Sequence, residues 1–443
     1  MRIDSLKASA LRGSFWMLAS YGSSQAIRLG SNLVLTRLLF PEAFGLMALV
    51  SAFLVGVTML SDVGIGASIT QNKRGDDPAF LETAWTLQLL RGAALWLVCC
   101  LIAIPVALVY DEPELKYVLP AAGLGLLISG FNPIRIETAY RHVQLGRLTI
   151  IDLASQLVGL AVMIALAYYY RSVWALVGGG LVTTSAKLIL SSLFIPGSRD
   201  RFKLESAAVS DIIHFGKWIL PSSLLGYFLA QGDKLILGKY LPLDLFGVYN
   251  IAYFIGSFPI LMAMGVMGRV LMPVYRRAAT EDSLDSLRQL RAAFTGIMLL
   301  LQGALIFTGP YLINLLYDAR YAQAGAFVVL IAIGQLPMII GLTYETAALA
   351  AGDSKRFFYL MVTKVVSQTV FLIIGVTAAG LFGALLALAA AYIVNHVFIV
   401  RLARIHHAWD PRHDMIFGAI ALVLAILGWW SGHAAIASVS ALV

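Results

Sequence analysis

Residues 35–47 read LTRLLFPEAFGLM and residues 237–249 read LGKYLPLDLFGVY. Each phrase sets a basic residue, an acidic residue and a Phe-Gly in the same order within otherwise apolar sequence. A gapless shift of 202 positions places Trp16 on Trp218, Gly30 on Gly232, Leu33 on Leu235, Arg37 on Lys239, Glu42 on Asp244, Phe44 on Phe246 and Gly45 on Gly247. The apolar segments leading into the two phrases are therefore copies, and the chain is expected to consist of two similar halves.

The surface of such a chain must face lipid. Hydrophobic residues make up 60% of it, charged residues 13%, and the mean hydropathy is +0.84, values that place it among integral membrane proteins. Cys99 and Cys100 are adjacent in an apolar run, with neither ordinary disulfide geometry nor metal-ligand spacing, and read as packing residues. Arg2, Lys7 and Arg12 lead into a full-length apolar segment without a small-residue cleavage site, so no removable signal peptide is expected.

An apolar run of about 20 residues spans a bilayer core as helix. Twelve such runs lie near 14–36, 43–66, 83–109, 117–139, 151–170, 174–195, 215–238, 246–271, 293–316, 325–350, 357–378 and 383–404, and a thirteenth at 415–431 ends in Trp429-Trp430. Six spans separate one copy of the repeated phrase from the other. That number is even, so both copies cross in the same direction, and the halves should be related by an axis along the membrane normal. The expected fold is all-α integral membrane: a six-helix lobe at 1–195, a cytoplasmic linker at 196–214, a second six-helix lobe at 215–404, and a loop with one further apolar helix in 405–443.

With the N-terminus in the cytoplasm, 20 of the 32 Lys and Arg fall in cytoplasmic segments, five in outer segments and seven inside spans. This asymmetry sets the orientation. It also explains the net charge of +8 as topology signals beside anionic lipid, so no nucleic-acid surface is implied. The segment 276–292, RRAATEDSLDSLRQLRA, reads as a surface helix with Leu284, Leu287 and Leu290 on one face.

Charges inside the spans need an explanation of their own. At about 2.5–3.5 kcal/mol each, Arg28, Arg91, Lys187, Lys234 and Lys364 would together cost about 12–17 kcal/mol if they faced lipid. They are expected to face water or partners. Tyr21, Gln25, Arg28 and Asn32 fall on one face of the first span, while Ser223, Tyr227, Gln231 and Lys234 repeat the pattern in the seventh. In the eleventh span Lys364, Ser367 and Gln368 share a turn. Two cationic stripes suit a ligand with phosphate or carboxylate groups, and the substrate-binding set is read as Arg28, Gln25, Asn32, Arg91, Lys187, Lys234, Lys364 and Gln368. Lys234, near the outer end of its span, fits equally a lysine reaching for the interface. Arg135 and Arg269 are read as helix-end residues. Asp62, Asp233 and Glu345 are the in-span acids that could couple transport to an ion, Asp233 being equally suited to a salt bridge. Asn395 and His396 are read as packing residues.

Catalytic readings find little support. No glycine-rich phosphate loop with a following Lys-Ser/Thr occurs, nor a CxxC or HxxxH metal set. His406, His407 and His413, with Asp410 and Asp414, are read as solvated loop residues. A membrane glycosyltransferase or polymerase would be expected to show an acidic Asp-x-Asp pair in a sizeable loop. A cation-coupled multidrug exporter would be expected to have an acidic, aromatic cavity, whereas basic residues outnumber acidic ones here.

FGKWILPSSLL, GDKLILGKYLPLDLFGVYNIAY and RVLMPVYRRA in the second half, with LSDVGIGASI in the first, resemble the oligosaccharide flippases of the polysaccharide-transport family, in the multidrug/oligosaccharidyl-lipid/polysaccharide superfamily. The run from Asp233-Lys234 through Leu237-Gly238 to Gly247 and Tyr249 carries the most specific part, and Pro242-Leu243 depart from the small residues usual there. The resemblance implies a multi-pass protein of the bacterial inner membrane. It would move an undecaprenyl-diphosphate-linked oligosaccharide from the cytoplasmic to the periplasmic leaflet by alternating access, as a monomer with no cofactor. The resemblance leaves a proton or sodium gradient and a polysaccharide polymerase as the driving force and partner to be considered.

Overall fold

The computed structural model describes residues 2–62, 64–197, 200–264 and 284–440. Among them there are helices and no strand, since a helix satisfies its own backbone N–H and C=O groups where water is absent. The chain divides into two compact units, Met1–Tyr227 and Phe228–Val443.

The first unit contains α1 (Arg2–Leu38), α2 (Pro41–Leu60), α3 (Ile65–Gln71), α4 (Pro78–Tyr110), α5 (Leu115–Gly130), α6 (Arg135–Arg141), α7 (Leu145–Tyr170), α8 (Val173–Phe194) and the start of α9 (Ser206–Tyr240). The second holds the rest of α9, α10 (Leu243–Gly256), α11 (Phe258–Met264), α12 (Leu284–Leu316), α13 (Ala324–Gly334), α14 (Leu336–Leu342), α15 (Glu345–Ala350), α16 (Ser354–Ile405), α17 (Pro411–Ser431) and α18 (His433–Ser440). Among the described residues eight helices are long and apolar enough to cross a bilayer, up to ten if each bent pair is one pass. α1 and α9, 37 and 35 residues long, cover the expected spans 14–36 and 215–238.

The repeated phrase builds the same local structure twice. α1 ends at Leu38, and the Leu39 N–H bonds the Leu35 carbonyl at 2.8 Å before α2 starts at Pro41. α9 ends at Tyr240, and the Leu241 N–H bonds the Leu237 carbonyl at 2.9 Å before α10 starts at Leu243. These are equivalent atoms under the 202-residue shift. In each copy an extended residue, Phe40 or Pro242, turns the chain into the next helix.

Small residues let neighbouring helices touch, which replaces the missing hydrophobic drive within lipid. A Cβ on Gly92 of α4 would lie 2.9 Å from the Leu126 carbonyl of α5, and one on Gly159 of α7 would lie 2.8 Å from the Gly179 carbonyl of α8. α16 folds back on itself at Ala379 (φ −151°, ψ 40°) and Gly380 (φ 51°, ψ −141°), a conformation that favours glycine. A Cβ on Gly375 or Gly383 would collide with the other's carbonyl. The two arms match the expected spans 357–378 and 383–404.

Among the described residues two spans that read as continuous bend sharply. α5 and α6 bend by 67°, and α10 and α11 by 56°. Freed carbonyls inside a membrane need partners, and glutamines supply them. Gln88 Nε2 donates to the carbonyls of Gly130 (3.1 Å) and Asn132 (2.9 Å). Gln302 Nε2 donates to the Gly256 carbonyl at 2.9 Å and lies 3.2 Å from Gln335 Oε1, while Gln335 Nε2 donates to Ser257 Oγ at 2.6 Å.

The segment expected as a linker, 196–214, is instead tied to the first unit. Glu205 takes both terminal nitrogens of Arg74 (2.8 and 2.9 Å). The N–H groups of Lys203 and Glu205 donate to Thr86 and Thr83 (3.1 Å each), and Asp200 accepts from the Ile134 N–H. From Ser206 the chain is helical, and Ala208 and Ile212 are buried against Phe80 and Trp85. Apolar burial and a bidentate ion pair thus hold this strap down. Hydrogen bonds from Arg74 keep the Glu205 carboxyl below its usual range, and the same guanidinium, with the Ala79 N–H, does so for Asp77.

The surface helix expected over 276–292 lies partly outside the described residues, as does Arg269. From Leu284 onward the chain is already α12, continuous with the span, and Leu287 is buried. At the end of α7, Tyr168, Tyr169 and Tyr170 are exposed beside Trp174 of α8, an arrangement suited to a membrane interface.

Candidate functional site

In the first unit α1 carries Tyr21, Gln25, Arg28 and Asn32. Gln25 Nε2 donates to the Tyr21 hydroxyl at 3.2 Å, and one turn up the Arg28 side chain is exposed. Gln156 of α7 donates to Ser24 Oγ at 3.0 Å, bracing α1 from the side. Asn32 is half-buried, and its carbonyl accepts from Thr36 Oγ1. A guanidinium held on a braced helix beside an amide is a fork for a phosphate or carboxylate.

Arg91 and Lys187 are turned to protein groups. Arg91 of α4 donates to the Thr58 carbonyl at 2.7 Å and to Ser61 Oγ at 3.1 Å, so it closes the C-terminal end of α2, where carbonyls lack helical partners. Asp62 sits in the turn that follows, its Oδ1 accepting the Gly64 N–H at 2.9 Å. Lys187 of α8 pairs with Asp152 of α7 at 2.7 Å. Asp152 is an in-span acid that sequence reading passed over. Its distance of 35 positions from Lys187 offers no local signal.

In the second unit Asp233 of α9 is 3% exposed and accepts from the Tyr249 hydroxyl at 2.7 Å. Tyr249, Tyr253 and Tyr392, with Gln335, line a small cavity of about 10 Å³, room for about one water molecule. Lys234 donates to Gln231 Oε1 at 2.8 Å. Lys364 of α16 bonds both oxygens of Glu345 at the start of α15 (2.8 and 2.9 Å). Close to it, Ser367 donates to Asn395 Oδ1 of the second arm at 2.8 Å, and Gln368 Nε2 lies 3.4 Å from the Leu229 carbonyl. A substrate-binding candidate and an ion-coupling candidate are thus each other's partners.

Of the residues read as a solvated loop, His407 is exposed, whereas His413 and Asp414 are built into the unit. His413 is 5% exposed, and Asp414 gathers donors from several elements. Trp409 Nε1 donates to Asp414 Oδ2 at 2.8 Å, and His396 Nε2 lies 3.3 Å from that oxygen. The Tyr344 hydroxyl is 2.9 Å from Asp414 Oδ1, 3.1 Å from His413 Nδ1 and 3.2 Å from the Asp410 carbonyl. His413 Nε2 reaches Thr295 Oγ1 of α12 at 3.0 Å. Arg291, only 2% exposed, lies 4.4 Å from the centre of the Tyr344 ring and donates to the Ala408 carbonyl at 2.8 Å. The reason is tertiary: α17 packs on α12, with Phe417 against Gly296 and Leu424 against Gly303, and this carries the polar first turn of α17 into the unit. Among the described residues no group of three His, Cys, Asp or Glu is arranged to hold a metal.

A model of the family described as polysaccharide biosynthesis protein matches residues 34–326. A lipopolysaccharide biosynthesis protein, WzxC of Escherichia coli strain K12, is 22% identical over 289 residues, 64% of this chain and 57% of that protein. The teichuronic acid biosynthesis protein TuaB of Bacillus subtilis strain 168 is 21% identical over 50% of this chain and 46% of its own length. The chain thus matches about half the length of these curated relatives. Among solved structures, the lipid II flippase MurJ in an inward closed conformation aligns over 97% of this chain and 98% of its own, with TM-score 0.69 and 11% identity. An inward-facing multidrug resistance MATE family transporter of the MOP superfamily aligns over 89% and 94%, with TM-score 0.61 and 14% identity. At such identities the likeness is one of fold, and the fold is that of these multi-pass membrane transporters.

Proposed function

The chain belongs to the polysaccharide biosynthesis protein family, and from that premise we propose that it carries an undecaprenyl-diphosphate-linked oligosaccharide from the cytoplasmic to the outer leaflet of a bacterial inner membrane. The observation that carries this reading is Arg28: an exposed cationic residue on a helix that covers an expected span, on the same helix face as the Tyr21–Gln25 hydrogen bond. A charge there is tolerable only beside water, a partner or an anionic ligand. A diphosphate fits a planar fork of donors better than a neutral or cationic solute does.

On this reading the chain is a carrier and not a catalyst, with its N-terminus in the cytoplasm, drawing on a proton or sodium gradient and delivering its cargo to a polymerase. Arg28→Ala should abolish polysaccharide export in a complementation assay while membrane abundance stays at the wild-type level, and Arg28→Lys should recover export only in part. Full export by a normally abundant Arg28→Ala variant would remove Arg28 from the mechanism.

A further inference from the structure

Lys364 and Glu345 come from different elements and hold each other with two bonds, yet their side chains keep 13% and 15% exposure. Lys364 lies ten residues into α16, roughly 15 Å along the helix from its start. The neighbouring polar groups, Ser367, Asn395 and Gln368, are neutral. The pair is therefore balanced in charge, mostly withdrawn from water and still open at one edge.

We propose that this ion pair is the empty state of an anion site: the diphosphate of the substrate takes the Lys364 ammonium, and the released Glu345 carboxylate takes one proton. This rests on the reading of the chain as a diphosphate carrier. Charge balance drives the exchange. Before binding, the ammonium and carboxylate neutralise each other. Afterwards the ammonium offsets one of the diphosphate's negative charges, and an ionised Glu345 would add a further, largely covered negative charge beside the rest, a costly state that protonation relieves. One proton from solution ends on a Glu345 oxygen, and no other bond is made or broken.

Among the described residues the charged groups of the packed elements have other partners: on α9, whose Leu229 carbonyl lies 3.4 Å from Gln368 Nε2, Lys234 donates to Gln231 and Asp233 accepts from Tyr249. α14 carries no titratable side chain, and the Tyr344 hydroxyl beside Glu345 faces Asp414 and His413. On the second arm of α16, His396 faces Asp414. Toward the ends of α16, Arg356 and His406 lie against Asp353, and Arg404 lies on Trp409. Diphosphate and proton are thereby linked ligands, each raising the affinity for the other.

The test uses the purified full-length protein in detergent, a polyprenyl diphosphate as ligand and the polyprenol as control, with calorimetry in buffers of different ionisation enthalpy. Wild type should take up one proton per diphosphate, and its affinity should fall by about tenfold per pH unit as pH rises. Glu345→Gln frees Lys364 in advance and should bind about 5–150-fold more tightly, with no proton uptake. The Lys364→Gln/Glu345→Gln double variant, a neutral pair of the same size, keeps the test readable if the single variant fails to fold. It should bind weakly and without proton uptake. Diphosphate binding by wild type with no proton uptake, sodium-dependent binding without it, or unaltered binding by the double variant would overturn the inference and leave the proposed function standing. Failure of wild type to bind diphosphate in preference to the alcohol would overturn both.

Discussion

Replacing Asp414 by alanine removes the acceptor on which the α17 cluster converges. Four groups lose it: Tyr344, Trp409, His396 and His413. Tyr344 keeps the Asp410 carbonyl and His413, and His413 keeps Thr295. Among the described residues Trp409 Nε1 and His396 Nε2 have no second partner. Two stranded donors at about 1–3 kcal/mol each give about 2–6 kcal/mol. Counting four bonds at the average of about 0.6 kcal/mol measured inside a membrane protein gives roughly 2.4 kcal/mol. Trp409 is only half-buried, so water relieves part of its loss, and the lower end, about 2–3 kcal/mol, is expected. For a unit of this length, at about 2–4 °C per kcal/mol, the thermal midpoint in detergent should fall by roughly 4–12 °C. Asp414→Asn, which keeps one oxygen acceptor, should lose about half as much. The amides of α17 should show the earliest rise in hydrogen exchange. An Asp414→Ala midpoint within about 1 °C of an Arg412→Ala surface control would refute the reasoning, since a solvated carboxylate would then explain the data.

Arg91→Ala should lower the abundance of folded protein by uncapping α2, at about 1–3 kcal/mol, while the protein that does fold exports at the wild-type rate per molecule. Normal abundance with lost export would return Arg91 to the substrate site. The strap that ties Glu205 and Asp77 to Arg74 should depend on pH in one direction only. Its carboxyls are held below their unfolded values, so their contribution is complete above the ordinary carboxylate range and is lost as pH falls through the depressed values. Amide exchange at Lys203 and Glu205 should therefore be flat near neutrality and rise below about pH 4, and Glu205→Gln should abolish that rise. A rise already between neutrality and pH 6 would contradict it.

What could be read from the chain was whatever is encoded locally. Leu35 to Gly45 and Leu237 to Gly247 specify a helix end, an extended residue and a helix start, and the same hydrogen bond forms in both. The apolar run interrupted at Ala379-Gly380 specifies two arms. The breaks after Gly130 and Gly256 were harder. Asn132-Pro133 is a turn signal, but the bend persists in lipid because Gln88, 42 positions from Gly130, satisfies the freed carbonyls. Charges were legible as charges, whereas their partners were not: Lys187 and Asp152, Lys364 and Glu345, and His413 and Thr295 meet only through packing. Arg291 and His413 look like loop residues until α17 packs on α12 and buries both. The exposed Arg28 beside Gln25 was legible because a single helix sets their spacing.

The hairpin of α16 bears on how the protein is made. From Val365 to Val400 the chain holds no Asp, Glu, Lys or Arg, and its reversal at Ala379-Gly380 leaves no loop in which to place one. Basic residues next to spans are what the insertion machinery reads, and here they stand only at the two feet, Lys355-Arg356 and Arg401-Arg404. Both feet carry basic residues, so the hairpin presents one orientation signal at its base, and the placement of Lys364 follows from it.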